Sequence, residues 1–578
     1  MSAPGSSIYS LQSLYVNDNR IRLLRPAASG LEGNVYELKA FSLEDAPPYA
    51  ALSYSWGGRV NSAGSRLKCK GGASSVPISL SQDLKQAIHR LDKINRHGWL
   101  WVDAICINQD DKAEKSSQVR IMRTIYGKAR CVYVWLGEQQ KRPIETSRRS
   151  GVPITHLTGA TISRLLRQGR SVWWSRLWVI QEIVSSAKII VCISHHTMQW
   201  HDFVNALYQT PKGRISPQLA DEFGSARLQI VRLRSLREKL RQDPGTEDLV
   251  SLLRKTFSSY ASDPRDKIFG LLGLVDQIDR NGIAVKYGVD VTETYQAVVC
   301  HIAKTRRSLD IIVDEWPRTK ACLHSATTPL PSWVPDFSDR ALRRVQSMAR
   351  LRKFHASRGT CPQIQRQAGN ILVVEAIRFD VIHEVVQPAL PTSFDLAAVL
   401  AVMRSIVIPQ LRRLAKAAES AHNHAPAPWS RLLTEDALLH ILTLHDGVNR
   451  GDQAVRLYSK VWQALADSND PDLASIPSTF GPNWNLVERF LRYVHFALRD
   501  RSVFSTRFGF VGHSSSDVLP GDIVVVPFGA SVPFVLRDAD TTDTYSLVSD
   551  CFINGIMNGE WLTQFQRGLI DSESFALV

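Results

Sequence analysis

Short apolar runs alternate with amphipathic segments of helical period over roughly the first 200 residues, and this alternation restricts that part of the chain to an α/β fold. Tyr49–Ser55 (YAALSYS) is an apolar run closed by Trp56-Gly57-Gly58, which reads as a strand entering a turn. Ser81 suits an N-cap for a helix with Leu84, Ile88, Leu91 and Ile94 on one face. Trp99–Val102 continues as a buried strand through Ile105. Ala113 to Arg130 sets Val119, Met122, Ile125, Tyr126 and Ala129 on one side of a helix. Cys131–Leu136 and Lys188–Ile193 read as further strands, with a helix over Trp174–Ser185 before the last of them. The polar, basic stretch Arg142–Arg170 reads as a surface insertion. Strands separated by helices pair in parallel, so an N-terminal parallel sheet with flanking helices is expected.

The pattern changes after residue 200, and three regions are expected: 1–200, 201–428 and 429–578. The middle one is mainly helical with some strands. It contains DPRDKIFGLLGL (Asp263–Leu274), with Asp263 as N-cap and Pro264 as first helical residue, and Ile371–Val386, which alternates like strands. His422–Pro428 (HNHAPAP) reads as a linker, and helical segments follow over Leu432–Leu498. Val503–Val548 breaks into short β-rich runs separated by Gly, Pro and Asp turns, which predicts a small meander or barrel. No internal repeat of solenoid period occurs.

With 44% hydrophobic and 22% charged residues, the 578-residue chain has a globular composition. Its eight cysteines are scattered without a C-x-x-C pair, against zinc ribbons and disulfide scaffolds. The N-terminus lacks a signal-type apolar run. The most apolar later stretch, Leu396–Leu411, carries Arg404 and Pro409 and is too short to span a bilayer. A reducing, cytoplasmic location and no transmembrane segment are therefore expected. The net charge of +15 raises the question of nucleic acid. Its densest runs, Arg227–Arg241 and Arg340–Lys353, interleave apolar residues at helical spacing, as solvated faces of packed helices do, and no nucleic-acid-binding motif accompanies them. Cys192, His195, His196 and His201 lack zinc spacing, so no metal site is expected. A phosphate-binding P-loop, a G-x-G-x-x-G turn after a strand and a G-x-S-x-G elbow are all absent.

Three blocks, YAALSYSWGG (Tyr49–Gly58), Leu100–Glu138 and WWSRLWVIQEI (Trp173–Ile183), resemble the fungal heterokaryon-incompatibility domain family in order and spacing. NRIRLLRP before them, and DPRDKIFGLLGL, LPSWVPDFS and GDIVVVPFGASVPFVLRD after them, are similar to flanking parts of such proteins. Lys115 and Ser194 depart from the family's usual Arg and Gly. The resemblance implies a role in non-self recognition and regulated cell death, with an incompatibility partner protein and homotypic assembly through the N-terminal domain. The same blocks are distantly similar to Toll/interleukin-receptor domains, which implies a flavodoxin-like sheet. In the enzymatic members of that family, a Glu after a Trp serves NAD cleavage. Ser175, Trp178 and Glu182 keep the Trp-to-Glu spacing, with Val179 in place of the family's Cys.

Residue chemistry supplies a matching constellation. In an open α/β sheet, ligands lie outside the carboxyl ends of the strands. The loop Ser55-Trp56-Gly57 and Asp103 are both expected at that edge. Trp174, Trp178 and Glu182 fall at i, i+4 and i+8 on one helix face. Cleavage of the nicotinamide–ribose bond passes through an oxocarbenium-like state that a carboxylate stabilises. Glu182 is the residue assigned that role. Ser55, Trp56, Gly57, Asp103 and Trp178 are assigned to substrate binding, with NAD as substrate and no cofactor. The duller alternatives are a Glu182 engaged in a salt bridge or cap, tryptophans that are merely core, and an interaction module that recruits a separate death effector.

Overall fold

The structure is a computed structural model describing residues 8–14, 19–27, 35–56, 65–70, 75–95, 98–137, 173–193, 196–208, 217–313, 330–338, 354–391, 393–422, 460, 462 and 484–578. Gly57, the Arg142–Arg170 insertion, Arg340–Lys353, His195 and nearly all of the His422–Pro428 linker lie outside the described residues, as do parts of the helical stretch Leu432–Leu498. The chain divides into two compact units, Met1–Thr294 and Tyr295–Val578. The division between them falls near residue 294. Side chains explain why: Arg237 donates to the Ile183 and Ser186 carbonyls, and Arg123 to the Gly273 carbonyl at 2.7 Å, so helices beyond residue 200 complete the first unit.

Among the described residues, the first unit holds a nine-stranded mixed sheet. Its strands are β1 (Arg20–Pro26), β2 (Val35–Ser42), β3 (Tyr49–Ser53), β4 (Ser65–Lys70), β5 (Ser75–Leu80), β6 (Trp99–Trp101), β7 (Cys131–Trp135), β8 (Ile189–Ile193) and β9 (His196–Gln199), in the order β5-β4-β2-β1-β6-β3-β7-β8-β9. The expected parallel pairing holds for the core β6-β3-β7-β8. Antiparallel pairs at β1–β2, β1–β6, β4–β5 and β8–β9 make the sheet mixed rather than parallel throughout.

The described helices of the first unit are α1 (Ile8–Leu11), α2 (Gln82–Ile94), α3 (Asp103–Cys106), α4 (Lys112–Lys128), α5 (Trp178–Ser185), α6 (Trp200–Tyr208), α7 (Pro217–Gln242), α8 (Leu249–Thr256), α9 (Asp266–Leu272) and α10 (Gln277–Gly282), and α11 (Val291–Thr305) starts in it and crosses the unit boundary. The expected cap on α2 is present: Ser81 Oγ accepts from Leu84 N at 3.2 Å. Leu84, Ala87, Ile88 and Leu91 are buried, as the periodicity requires. Each large apolar side chain so buried contributes about 1.5–3 kcal/mol. No described helix is long and apolar enough to cross a membrane.

Two expected elements differ. The strand read through Ile105 ends at Trp101, because Asp103 starts the short helix α3 and accepts from Ala104 N at 2.8 Å. The helix read over Trp174–Ser185 is broken into a 3₁₀ turn at Trp173–Ser175 and α5. There the backbone turns to meet the 260 segment, with Leu177 N donating to Tyr260 O at 2.8 Å.

The second unit is built on a barrel. Its strands are β10 (Ile364–Gln367), β11 (Ile371–Val386), β12 (Arg501–Thr506), β13 (Val511–Ser515), β14 (Ile523–Pro527), β15 (Phe534–Asp538), β16 (Thr544–Ile553) and β17 (Glu573–Leu577). Antiparallel pairings run β11–β12–β13–β16–β15–β14 and return to β11, which closes the ring. Closure removes exposed edges, and bulges along β11 let one strand serve partners on both sides. The Ile371–Val386 segment therefore belongs to the C-terminal barrel rather than to a middle domain. Ile377, Phe379, Phe504, Val524, Val535 and Ile553 are among the side chains of its core. Gly512 is required where β13 meets β16: a Cβ there would lie 2.5 Å from the Phe552 carbonyl oxygen.

Candidate functional site

The site begins at the carboxyl ends of the adjacent parallel strands β3 and β6. Beyond β3 the chain runs Tyr54-Ser55-Trp56, and beyond β6 it runs into Asp103. A buried ion pair fixes this edge: Arg22 from β1 holds Glu114 of α4 through two hydrogen bonds of 2.6 and 2.8 Å. Arg22 also donates to the Cys106 carbonyl at 3.1 Å, and Glu114 accepts from Asn108 N at 2.7 Å. Strand, loop and helix are thereby tied at one point behind Asp103.

Asp103 is held from three sides. Its Oδ1 accepts from Ala104 N, its Oδ2 from the Trp56 indole at 2.9 Å, and its own carbonyl from Gln109 Nε2 at 3.1 Å. Burial raises its carboxyl above the usual range, and the Arg176 guanidinium, the Trp56 indole and the helix amide oppose that rise. Trp56 stacks on buried Tyr54 with ring centroids 6.5 Å apart, yet is itself 47% exposed. Arg176 donates to the Tyr54 carbonyl.

Trp56, Asp103, Gln109 and Arg176 line a cavity of about 310 Å³. Of the residues assigned from sequence, Ser55, Trp56, Asp103 and Trp178 are all on its wall. Glu182 is not. It sits one helical turn deeper along α5, is 1% exposed, and accepts from the Ser53 hydroxyl, which in turn accepts from the Trp173 indole at 2.8 Å. Burial pushes its carboxyl up to about 7, opposed by Arg176 and the Ser53 hydroxyl and reinforced by Asp103. The expectation that Glu182 borders the hollow is thus corrected. Trp178, at the start of α5, faces the cavity, while the next turn packs under β3 and takes Glu182 with it. Trp174 lies in the separate 3₁₀ turn, 5% exposed, as core. Cys106 is fully buried with its thiol pushed up to about 12 by that burial, so it presents no nucleophile.

The far wall was not found by sequence reasoning. Asp266, at the first position of α9, accepts from the Trp178 indole at 3.1 Å and from the Tyr287 hydroxyl. Burial raises its carboxyl to about 6 against those two hydrogen bonds, with Asp263 adding to the rise and Lys115 opposing it. Lys115 Nζ lies 4.2 Å from the centroid of the Tyr287 ring. Asp263 binds Arg265 at 2.7 Å rather than capping a helix from Pro264, and α9 starts at Asp266. The DPRD segment was the available signal, read only as a helix start. Tyr260, 43% exposed, completes an aromatic rim with Trp56. Among the described residues no cluster of His, Cys, Asp and Glu is arranged to hold a metal ion.

Comparison with known proteins places this geometry. Residues 49–182 match the model of the heterokaryon incompatibility protein (HET) family, and residues 488–569 match that of the Het-6 beta-barrel domain. The two regions fall on the β3-to-α5 core and on the closed barrel. The chain is also 23% identical to "Heterokaryon incompatibility protein 6, OR allele" of Neurospora crassa, over 99% of this chain and 98% of that protein. Residues 49–182 carry a domain of the heterokaryon-incompatibility family. This HET domain supplies Ser55, Trp56, Asp103 and Trp178 to the cavity, whereas Asp263, Asp266 and Tyr287 come from beyond the matched segment. No solved structure matches the chain.

Proposed function

We propose that this protein acts in fungal non-self recognition leading to regulated cell death. In this reading the first unit is the effector, and it binds and cleaves a nucleotide of the NAD class at the Asp103 cavity. The observation that carries the proposal is Asp103 itself: a buried carboxylate on a cavity wall, oriented by the Trp56 indole and faced by Arg176. About 310 Å³ is at the lower end of the range for small-molecule pockets. It suits the nicotinamide riboside half of a dinucleotide, with Trp56 and Tyr260 at the mouth as ring surfaces for the remainder.

The chemistry needs one carboxylate. Nicotinamide leaves as a neutral group, the C–N bond to ribose breaks, and water supplies the hydroxyl that replaces it, its remaining proton passing to solvent. Asp103 would hold the ribose hydroxyls and stabilise the developing positive charge. Glu182 becomes a positioning residue that acts on Ser53 and the end of β3. The four-stranded parallel core, with its ligand edge at the strand carboxyl ends, supports the likeness to Toll/interleukin-receptor domains. The test is nicotinamide release from NAD by the full chain, alone and artificially clustered, with Asp103→Asn as control.

One observation favours a second reading. The Glu182 carboxylate is sealed by Ser53 rather than open to substrate. A non-enzymatic module, in which the cavity only binds ligand and death follows from a recruited protein, would bind NAD without releasing nicotinamide and keep its toxicity in Asp103→Asn.

A further inference from the structure

The first unit carries a second concave surface on the other flank of α4. One groove of about 790 Å³ lies between α4, the end of α9, α10 and the 283–289 segment. Its apolar lining includes Val119, Phe269, Leu272, Ile283 and Val285, and its charged lining is Lys112, Arg120, Arg280 and Lys286. Arg280 also lines an adjoining groove of about 540 Å³, whose other charged residues are Arg123, Lys128 and Arg241. Every ionisable side chain lining either groove is a cation, and among the described residues no Asp or Glu lines them.

Several acids close in sequence are engaged elsewhere, Asp279 among them, which accepts from Leu249 N at 2.9 Å. Asp111 caps α4 through the Ala113 and Glu114 amides, Asp276 caps α10 through the Asp279 amide, Asp290 accepts from Thr292 N, and Glu114 holds Arg22. Two of the cations are held in place by neutral acceptors: Arg123 donates to the Gly273 carbonyl, and Arg280 to the Leu272, Gly273 and Val275 carbonyls. Burial and the charge of Arg280 hold Arg123 below its ordinary pKa, as expected where like charges are gathered. α4 has 17 residues, so the cationic strip follows a helix about 25 Å long.

We propose that these two grooves dock an acidic, amphipathic segment of a partner protein, its apolar residues on the accessible Ala284, Val285 and Val289 side chains and its carboxylates on the Lys and Arg rim. Apolar lining with a cationic rim is the complement of such a segment. Single-stranded nucleic acid fits less well, because the one aromatic side chain lining the grooves, Phe269, is 1% exposed and offers no stacking face. A flat anionic bilayer does not enter a concavity.

The test uses the full chain and a fluorescein-labelled peptide of about 15 residues carrying Glu and Leu at helical spacing. Two control peptides replace every Glu by Lys or every Leu by Ser. The Glu/Leu peptide binds and weakens with added salt, and both controls bind about tenfold or more weakly. Lys112→Glu combined with Lys286→Glu, two exposed side chains outside the Asp103 cavity, lowers its affinity by about tenfold or more without moving the thermal midpoint. Equal binding of the Lys peptide, an unchanged affinity in the double variant, or capture of oligonucleotide or anionic vesicles in place of the Glu/Leu peptide overturns the proposal. If the midpoint of the double variant shifts, Lys112→Ala with Lys286→Ala takes its place: weaker peptide binding then supports the proposal, and unchanged binding overturns it.

Discussion

The Ser53 hydroxyl donates to the Glu182 carboxylate, joining the end of β3 to α5 behind the cavity wall. Burial raises that carboxyl from its ordinary 4.5 to about 7. The folded chain therefore keeps a proton that the unfolded chain releases at lower pH. This contribution to stability is fully present below about 4.5 and is lost as pH rises through about 7. Glu182→Gln, which removes the titration and keeps an acceptor for Ser53, is expected to flatten the fall in thermal midpoint between pH 5 and 8. At the upper end of that window the variant is more stable than the wild type by about 3 kcal/mol. An identical pH profile in the two proteins would contradict the burial described.

Breaking the Arg22–Glu114 pair should be more damaging than removing both members. Arg22 is fully buried and Glu114 nearly so. Arg22→Met leaves a carboxylate without its partner in the interior, at a cost of about 3–5 kcal/mol. Arg22→Met with Glu114→Leu recovers most of that loss. Urea unfolding of the three proteins reads the difference.

The barrel offers a test confined to the second unit. Gly512→Ala places a methyl against the Phe552 carbonyl and the Ile553 and Phe504 side chains at 2.5–2.7 Å. Overpacking of this kind costs about 1–3 kcal/mol or more. The barrel's unfolding midpoint should fall, whereas ligand binding at Asp103, in the other unit, should not change.

Trp178 links α5 to α9 through its hydrogen bond to Asp266. Trp178→Phe keeps a ring on the cavity wall but removes one of the two donors that oppose the rise in the Asp266 carboxyl. Asp266 should then titrate higher than about 6, measurable by carboxyl NMR against the wild type. A lower value would contradict the described contact.

The local elements of the first unit were legible in sequence because they are set by local rules. Ser81 caps α2 by its side chain, and α4 follows the spacing of Val119, Met122, Ile125 and Tyr126. Trp56 and Asp103 could be placed together because both end parallel strands. Glu182 could not be placed, since a carboxylate one turn beyond Trp178 has the same spacing whether it borders a cavity or lies under a strand. The α5 break was hidden because WWSRLW keeps an apolar rhythm through the turn. Asp266 and Tyr287 reach the cavity from distant segments, as β11 reaches the barrel, and neither closure leaves a periodic trace. What fixed them is tertiary pairing: Asp266 with Trp178, and Ile371–Val386 with β12 and β14.

In the proposed function Asp103 is the carboxylate that meets ligand, and nicotinamide release by the clustered full chain tests this most directly. Wild type should release nicotinamide from NAD. Asp103→Asn, which keeps an acceptor for the Trp56 indole, should lose about 100-fold or more of that rate. Equal rates in wild type and Asp103→Asn would contradict the claim, as would NAD cleavage abolished by Glu182→Gln and untouched by Asp103→Asn.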